Sequence, residues 1–218
     1  MIRALVFDFD GTIIDTETAW YVAFREAYAE HGVTLTLEQY SQCIGTSLGL
    51  FNPYEHLKTH HGIELDLAEF RDSVRARHAE LMKREAVRPG VEAFLKAAKE
   101  AGLKLAVASS SAREWVVAHL EQLGLTEYFT CIRTADDVRH VKPNPELYLK
   151  ALDGLGVEAC EAIAIEDSPN GAKAALAAGM ACVLAPNEIT RLLDFPDVPH
   201  RVNTLEELDF HHLIAVAG

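Results

Sequence analysis

Two aspartates near the start of the chain have the spacing of a nucleophile and a general acid. Asp8 and Asp10 directly follow an apolar run at residues 2–7, and side chains two residues apart in an extended segment project to the same face. One carboxylate can then attack an electrophilic centre while the other donates and accepts the proton. Asp8 is the candidate nucleophile and Asp10 the candidate acid and base, and Gly11 allows the tight turn that follows.

Further polar groups follow three other apolar runs of the sequence. Ser109 and Ser110 follow the second run, Lys142 follows the third after a loop, and Glu166 and Asp167 follow the fourth. The carboxyl ends of parallel strands meet at one edge of a sheet, so we expect these groups to converge there. Each motif alone could be an ordinary loop or a helix cap, but four of them in order, each after a strand, indicate a site.

The chemistry of these groups points to a phosphate ester and a hard metal ion. Several carboxylates cannot share a site without a cation, because their mutual repulsion would raise their pKa values steeply. Ligand sets made of oxygen select hard ions, and Mg²⁺ favours a few carboxylates together with a substrate phosphate. The ammonium of Lys142 and the hydroxyl of Ser109 are donors suited to phosphate oxygens, and attack by Asp8 would then form an aspartyl-phosphate.

Short apolar runs separated by helix signals predict the elements that position this site. Such runs suit strands that are covered on both faces, and they occur at residues 2–7, 103–108, 129–132, 162–165 and 181–184. Helix signals lie between them, for example a start at Ser168-Pro169 and a stop at Gly179, and the tail predicts a last helix from Thr204 through Leu213. This alternation predicts an α/β fold with a parallel, Rossmann-like sheet.

The stretch at residues 17–85 breaks the alternation, because its pattern is helical throughout. The sequence from Thr36 to Gln39 is typical of a capping box, and helix starts are predicted at Asn52 and Asp66. We therefore expect a helical cap domain at residues 17–85 that is inserted into an α/β core domain, which is formed by residues 1–16 and 86–218.

The composition disfavours several classes of partner. The chain has 218 residues, of which 49% are hydrophobic and 24% charged, as is usual for globular proteins. Lys and Arg total 20 and Asp and Glu total 33, so the formal net charge is −13, which disfavours nucleic acids and anionic membranes. We predict a cytoplasmic protein, because the four cysteines are scattered and the sequence has neither a signal-peptide pattern nor a long apolar run. We expect a monomer or a weak dimer.

The four motifs together resemble those of the haloacid dehalogenase superfamily. The resemblance rests on Asp8-Phe9-Asp10-Gly11-Thr12, Ser109, Lys142-Pro143 and Glu166-Asp167, and it covers essentially the whole chain. Within the superfamily, the chain is most similar to the branch of β-phosphoglucomutase-like and phosphoglycolate-phosphatase-like hydrolases. The helical insert between the first and second motifs resembles the type one cap of that superfamily, which closes over the substrate.

This resemblance implies roles for individual residues. Asp8 would be the nucleophile and Asp10 the acid and base, while Ser109, Ser110 and Lys142 would hold the phosphoryl group. The function implied is a Mg²⁺-dependent phosphatase, that is, a phosphoric monoester hydrolase. Its partner would be a small phosphorylated metabolite such as a sugar phosphate.

The resemblance also implies a metal site. Mg²⁺ would be held by the Asp8 carboxylate, the Asp10 backbone carbonyl and Asp167, with Glu166 nearby. The dehalogenase branch lacks a second aspartate that acts on phosphate. Asp10 and the Glu166-Asp167 pair therefore count against dehalogenation.

Three positions depart from the mutase pattern and bear on the alternatives. Trp20 stands where β-phosphoglucomutases have a His, Ile44 of the segment Ile44-Gly45-Thr46 stands where they have a Lys, and Arg113 stands where they have an Asn. These changes remove polar contacts to a sugar and favour a phosphatase over a β-phosphoglucomutase-type mutase, although Trp20 could instead lie in a core. A receiver-like phospho-acceptor is the non-enzymatic alternative, but receivers are about half this length and carry no helical insert.

Overall fold

Six parallel strands form one sheet within residues 1–43 and 51–216, the part of the chain that the computed structural model describes. In chain order the strands are β1 (Ala4–Phe7), β2 (Lys104–Ala108), β3 (Cys131–Arg133), β4 (Ala162–Glu166), β5 (Ala181–Leu184) and β6 (His200–Arg201). Their order across the sheet is β3-β2-β1-β4-β5-β6. The strand order therefore reverses between β1 and β4, and open sheets of this kind bind ligands at that point.

Helices cover both faces of the sheet, because its strands bury side chains on both sides. One face carries Leu5 and Phe7 of β1 and is covered by α5 (Val91–Glu100), α6 (Arg113–Gln122) and α9 (Phe210–Val216). The other carries Ala4 and Val6 and is covered by α7 (Glu146–Leu155) and α8 (Pro169–Ala177). The predicted α/β class with a parallel sheet is confirmed. In the described ranges, no helix combines the length and the apolar character needed to cross a bilayer.

A helical segment lies between β1 and α5, where the sequence predicts an insert. Its described helices are α1 (Thr16–Glu30), α2 (Leu37–Ser41), α3 (His56–His61) and α4 (Leu67–Met82). They share a buried apolar cluster that includes Tyr28, whose hydroxyl donates a hydrogen bond of 2.7 Å to the Pro53 carbonyl. The capping box at Thr36 is confirmed. α3 begins later than predicted, because the Asn52 side chain accepts a bond from the Tyr54 backbone and holds a turn before the helix.

The prediction for the tail was wrong at two points. β6 pairs with β5 at the edge of the sheet, although its two residues, His200 and Arg201, are not an apolar run. The helix predicted from Thr204 begins only at Phe210. The Asp209 carboxylate accepts a hydrogen bond of 2.7 Å from the backbone N–H three residues on, so it acts as the cap and sets the start of the helix.

The tail packs against the start of α5 at Gly90, which gives a test of this packing. Gly90 has a φ of +85°, and a Cβ there would lie 2.5 Å from the backbone nitrogen of Glu206. Gly102 has a similar φ of +73° but no atom within 4 Å of such a Cβ. We expect Gly102→Ala to lower the free energy of unfolding by about 1 kcal/mol through backbone strain alone. Gly90→Ala should lose about 1–3 kcal/mol more through overpacking.

Urea unfolding of the two variants and the wild-type protein measures this difference. Because the two positions have similar positive φ angles, Gly102→Ala is a matched control for strain. Equal losses in the two variants would show that the segment around Glu206 does not pack against Gly90.

Candidate active site

The sheet brings the predicted site residues to one edge. Phe7 at the end of β1 is level with Val107 in β2 and with Ile165 in β4. The residues that follow these three positions therefore emerge side by side. Asp8 continues the ladder with a hydrogen bond of 2.9 Å from its backbone N–H to the Ile165 carbonyl, and Glu166 ends β4 next to it. The expected convergence of motifs from separate strands is thus a consequence of the parallel register.

The Lys142 ammonium lies between two carboxylates at this edge. Its Nζ donates to Asp8 Oδ1 at 2.5 Å and to Glu166 Oε1 at 2.7 Å, and all three side chains are at most 9% exposed. Burial raises the pKa of Asp8 to about 7, although Lys142 acts in the opposite direction. Burial alone would lower the pKa of Lys142, but Asp8 and Glu166 together raise it above its ordinary value. The lysine therefore stays charged and holds the candidate nucleophile in place.

Glu166 is fixed by five hydrogen-bond donors. Oε1 accepts from Lys142 and from the Tyr148 hydroxyl at 2.7 Å, and Oε2 accepts from the Asp167 backbone, the Ser168 backbone and the Ser168 hydroxyl. The first turn of α8 wraps closely around it, since a Cβ on Gly171 would lie only 1.7 Å from Oε1. Both oxygens of Glu166 are thus occupied within the protein. Its hydrogen-bond donors outside its own loop are the ammonium of Lys142 and the hydroxyl of Tyr148.

Asp167 lies next to Glu166 and is 1% exposed. Its Oδ1 accepts from the Thr12 hydroxyl at 3.3 Å, and its Oδ2 accepts from Asn187 Nδ2 and from the Thr190 hydroxyl, both at 3.2 Å. Burial raises its pKa well above the ordinary value, and the nearby Asp8 raises it further. An acidic side chain in this environment needs a proton or a cation to be stable.

Arg88 joins the loops that carry the site. Its Nη1 donates to the carbonyls of Gly11 and, at 2.7 Å, of Ala185, and its Nη2 donates to the Pro186 carbonyl at 3.2 Å. The first loop and the loop after β5 are therefore held together from outside the cavity. Neither Arg88 nor the Asn187 and Thr190 side chains were found by sequence reasoning, because they lie outside the four motifs.

Asp10 is held by donors from the segment after β2. Its Oδ2 accepts from the hydroxyls of Ser109 at 3.2 Å and Ser111 at 2.6 Å. Its Oδ1 accepts from Trp115 Nε1 at 2.8 Å. Ser109 was expected at the site as a donor to phosphate and not as a partner of Asp10. The contacts of Ser111 and Trp115 were not expected, since a tryptophan in the first turn of a helix carries no motif signal.

The donor set fits a divalent cation. One carboxylate oxygen from each of Asp8, Glu166 and Asp167 lies within 4.8 Å of the other two, and all three residues are buried. The Lys142 ammonium pairs with two of these carboxylates, Asp8 and Glu166, so the cluster of three carries excess negative charge when all of them are ionised. Hard oxygen ligands of this kind suit Mg²⁺ or a similar ion.

A cavity of about 520 Å³ opens from this cluster. Of the residues that the sequence singled out in the four motifs, its lining includes Asp8, Asp10, Ser110, Lys142 and Asp167, whereas Ser109 and Glu166 are fully buried and do not line it. Glu17 of α1 also lines it and was missed. Burial raises the pKa of Glu17 to about 7, and the nearby Asp10 and Asp15 act in the same direction. The volume suits a small metabolite.

Of the candidate specificity residues of the helical segment, the structure describes only Trp20. Trp20 is half-buried, and its ring stacks on the ring of His78 from α4 with centroids 3.8 Å apart. Ile44, Gly45 and Thr46 lie outside the described residues. Arg113 forms an ion pair of 2.6 Å with Asp137 at the surface.

Comparison with known proteins agrees with this geometry. Residues 5–185 match the family model for haloacid dehalogenase-like hydrolases. The chain is 49% identical over 214 residues to the candidate phosphatase YhcW of Bacillus subtilis (strain 168), covering 98% of this chain and 97% of that protein. It is 30% identical over 181 residues to the phosphorylated carbohydrates phosphatase of Thermotoga maritima, covering 82% of each.

A solved structure of similar sequence has the same fold. It is a CbbY variant from Rhodobacter sphaeroides in complex with xylulose-(1,5)bisphosphate, with a TM-score of 0.73 and 32% identity over 95% of this chain and 96% of that one. The resemblance inferred from the four motifs is confirmed by these matches. They also decide against the receiver-like alternative, because the matching family is one of hydrolases.

The raised pKa values predict that cation binding depends on pH. In the metal-free protein the pKa of Asp8 is about 7 when folded, above the ordinary 3.8, so its ionisation destabilises the fold progressively between about pH 4 and 7. A divalent cation should reverse this only where protons no longer compete for the carboxylates. We choose one MgCl₂ concentration, about 100 times the Kd at pH 8. We expect it to stabilise the protein by about 2–3 kcal/mol at pH 8 and by much less at pH 5, where protons compete for the carboxylates.

Thermal unfolding with MgCl₂ or with EDTA at the two pH values measures this effect. Asp167→Asn should remove most of the stabilisation at pH 8. Asp72→Asn, a change at an exposed aspartate of α4, is the matched control and should keep it. Equal stabilisation at both pH values, or full stabilisation of Asp167→Asn, would contradict the assignment of the cation to this cluster.

Proposed function

Because this chain belongs to the haloacid dehalogenase-like hydrolase family, we propose that it is a Mg²⁺-dependent phosphatase that works through an aspartyl-phosphate. The observation that carries the proposal is the placement of Lys142. Its buried ammonium contacts the candidate nucleophile Asp8 at one wall of the cavity, with Asp167 beside it. A site with one fixed cation and excess carboxylates suits an anionic substrate that binds together with a metal ion.

The residues of the cavity divide between phosphate and metal. The Lys142 ammonium and the Ser110 backbone would hold the phosphoryl oxygens. The Ser109 hydroxyl would join them only by turning its one proton from Asp10 to the phosphate, while Ser111 and Trp115 keep their bonds to Asp10. Asp8, the Asp10 carbonyl and Asp167 would hold Mg²⁺, which supplies positive charge next to the phosphoryl oxygens when it is bound.

The metal role of Glu166 is the weakest of the proposed set, because its two oxygens already accept five hydrogen bonds, one of them from the Lys142 ammonium. The oxygens of Asp167 accept three bonds, all from neutral side chains. The contribution of Glu166 is to keep Lys142 in position.

The reaction follows from the two aspartates. In the first step a carboxylate oxygen of Asp8 forms a bond to phosphorus, the bond from phosphorus to the ester oxygen breaks, and Asp10 gives its proton to that oxygen. In the second step Asp10 takes a proton from water, whose oxygen attacks phosphorus. The bond from phosphorus to Asp8 then breaks, which releases inorganic phosphate and restores both carboxyl groups.

We propose a sugar phosphate or a similar small phosphorylated metabolite as the substrate class. The names of the Thermotoga maritima relative and of the CbbY complex support this, because both refer to phosphorylated carbohydrates. The cavity volume of about 520 Å³ is compatible with such a molecule. Residues 17–85 would form a cap domain over a core domain of residues 1–16 and 86–218. Glu17 lines the cavity, which supports a position of part of that cap next to the substrate.

Asp8→Asn tests the nucleophile. The amide is close in shape to the carboxylate but is neither a nucleophile nor a good Mg²⁺ ligand, so we expect phosphate release to fall by about 10⁴-fold or more. Release of inorganic phosphate from a panel of sugar phosphates is the measurement, with circular dichroism to confirm folding. Asp72→Asn serves as the control for an aspartate outside the cavity. Substantial turnover by a folded Asp8→Asn protein would overturn the aspartyl-phosphate mechanism.

The mutase alternative gives a second test. A mutase must hold a bisphosphorylated intermediate while it reorients, which needs polar groups on the cap, and the Trp20 ring is instead stacked on His78. We therefore expect glucose 1-phosphate with a bisphosphate activator to yield inorganic phosphate or nothing. Sustained formation of glucose 6-phosphate in a coupled assay would place the mutase first.

A further inference from the structure

Three aromatic rings connect the helical segment to Asp10. Trp20 of α1 stacks on His78 of α4, with centroids 3.8 Å apart and planes 9° from parallel. His78 in turn stacks on Trp115 of α6 at 5.8 Å and 23°. Trp115 Nε1 then donates to Asp10 Oδ1 at 2.8 Å. The stack therefore connects two helices of the insert, α1 and α4, to α6, which covers one face of the sheet, and through it to the candidate acid and base.

The middle ring is suited to this position because it is neutral. His78 is 4% exposed, and burial lowers its pKa to about 4 although a hydrogen bond to the Thr16 backbone acts in the opposite direction. A neutral imidazole can lie between two indole faces without placing an unpaired charge in an apolar environment. The stack can thus persist throughout the neutral pH range.

The indole N–H and the serine hydroxyls bind different oxygens of Asp10. Trp115 donates to Oδ1, whereas Ser109 and Ser111 donate to Oδ2. Rotation of the carboxyl group about its last bond by less than a half-turn would lengthen all three contacts. Hydrogen bonds are directional, so this set of three defines one orientation of the carboxyl group.

We propose that Trp115 is a positioning residue that orients Asp10 for proton transfer, with His78 and Trp20 supporting its indole ring. The inference rests on the proposed role of Asp10 as the acid and base. It adds that the indole N–H sets the direction of the carboxyl group, and that the insert contributes to this through the stack. When Trp115 loses its N–H, the leaving oxygen should receive its proton less effectively.

Trp115→Phe removes the N–H and keeps a ring that can face His78. A series of aryl phosphates with leaving phenols of different acidity is the probe, because good leaving groups depart without a proton and poor ones need it. We expect kcat/KM to fall by about tenfold or more with phenyl phosphate and to stay within about twofold with a dinitrophenyl phosphate. The dependence on leaving-group acidity should therefore become steeper in the variant.

Two further variants separate the possible outcomes. Asp10→Asn should give the steepest dependence, and adding Trp115→Phe to it should change kcat/KM by no more than about twofold, since the indole acts only through Asp10. Tyr21→Phe removes an aromatic donor of α1 that bonds the Leu35 carbonyl, and it should leave the dependence unchanged. A uniform loss across the series in Trp115→Phe, or independent losses in the double variant, would overturn the inference. An unchanged dependence in Asp10→Asn would overturn the proposed role of Asp10, and the inference with it.

Fluorescence gives a readout that does not depend on turnover or on the folding of Trp115→Phe. The chain has two tryptophans, and both belong to this stack, so Trp20→Phe leaves Trp115 as the only indole. In that background Asp10→Ala should shift the emission of Trp115, because the N–H loses its carboxylate partner. Asp194→Ala, a change at another acid in the cavity lining, should not. An emission spectrum unaffected by Asp10→Ala would show that the hydrogen bond does not form in solution.

Discussion

The buried ammonium of Lys142 is the interaction on which the rest of the site depends. It is bound between Asp8 and Glu166, and each of these carboxylates would be costly to bury without it. Glu166 is in turn fixed by Tyr148 from α7 and by the first turn of α8. The packing of two helices on one face of the sheet is therefore transmitted through Glu166 and Lys142 to the orientation of the candidate nucleophile.

The buried carboxylates of the site lower the stability of the fold, but they give the site its capacity to bind a cation. Asp8 and Asp167 are buried beside each other, and their raised pKa values show that the folded chain resists ionising both. Clusters of this kind are typical of functional sites. Binding of a cation there relieves the electrostatic repulsion between the buried carboxylates. The hydrogen bonds from Thr12, Asn187 and Thr190 keep Asp167 in place without neutralising it. The site is thus preformed for a cation.

The sequence predicted the parts of this structure that local patterns encode. The apolar runs predicted β1 to β5 to within two residues, and the motif residues were correctly expected at one edge of the sheet. Trp115, Tyr148 and Arg88 were missed for a physical reason. Each is brought to the site by helix packing or by a loop far along the chain, and nothing in its neighbouring residues marks it. β6 was missed because an edge strand of two polar residues has neither an apolar run nor an alternating pattern.

The net charge of −13 limits how an anionic substrate can approach this cavity. The carboxylates in its described lining are those of Asp8, Asp10, Glu17, Asp167 and Asp194, whereas Lys142 and Lys173 are the cations there. Lys142 is already shared by two carboxylates, so it has limited charge to offer a phosphate dianion. A cation bound at Asp8 and Asp167 would reverse the balance where the phosphoryl group must lie. Phosphate binding is therefore expected to be linked to metal binding, because the electrostatic field of the chain opposes the anion and the same field attracts the cation.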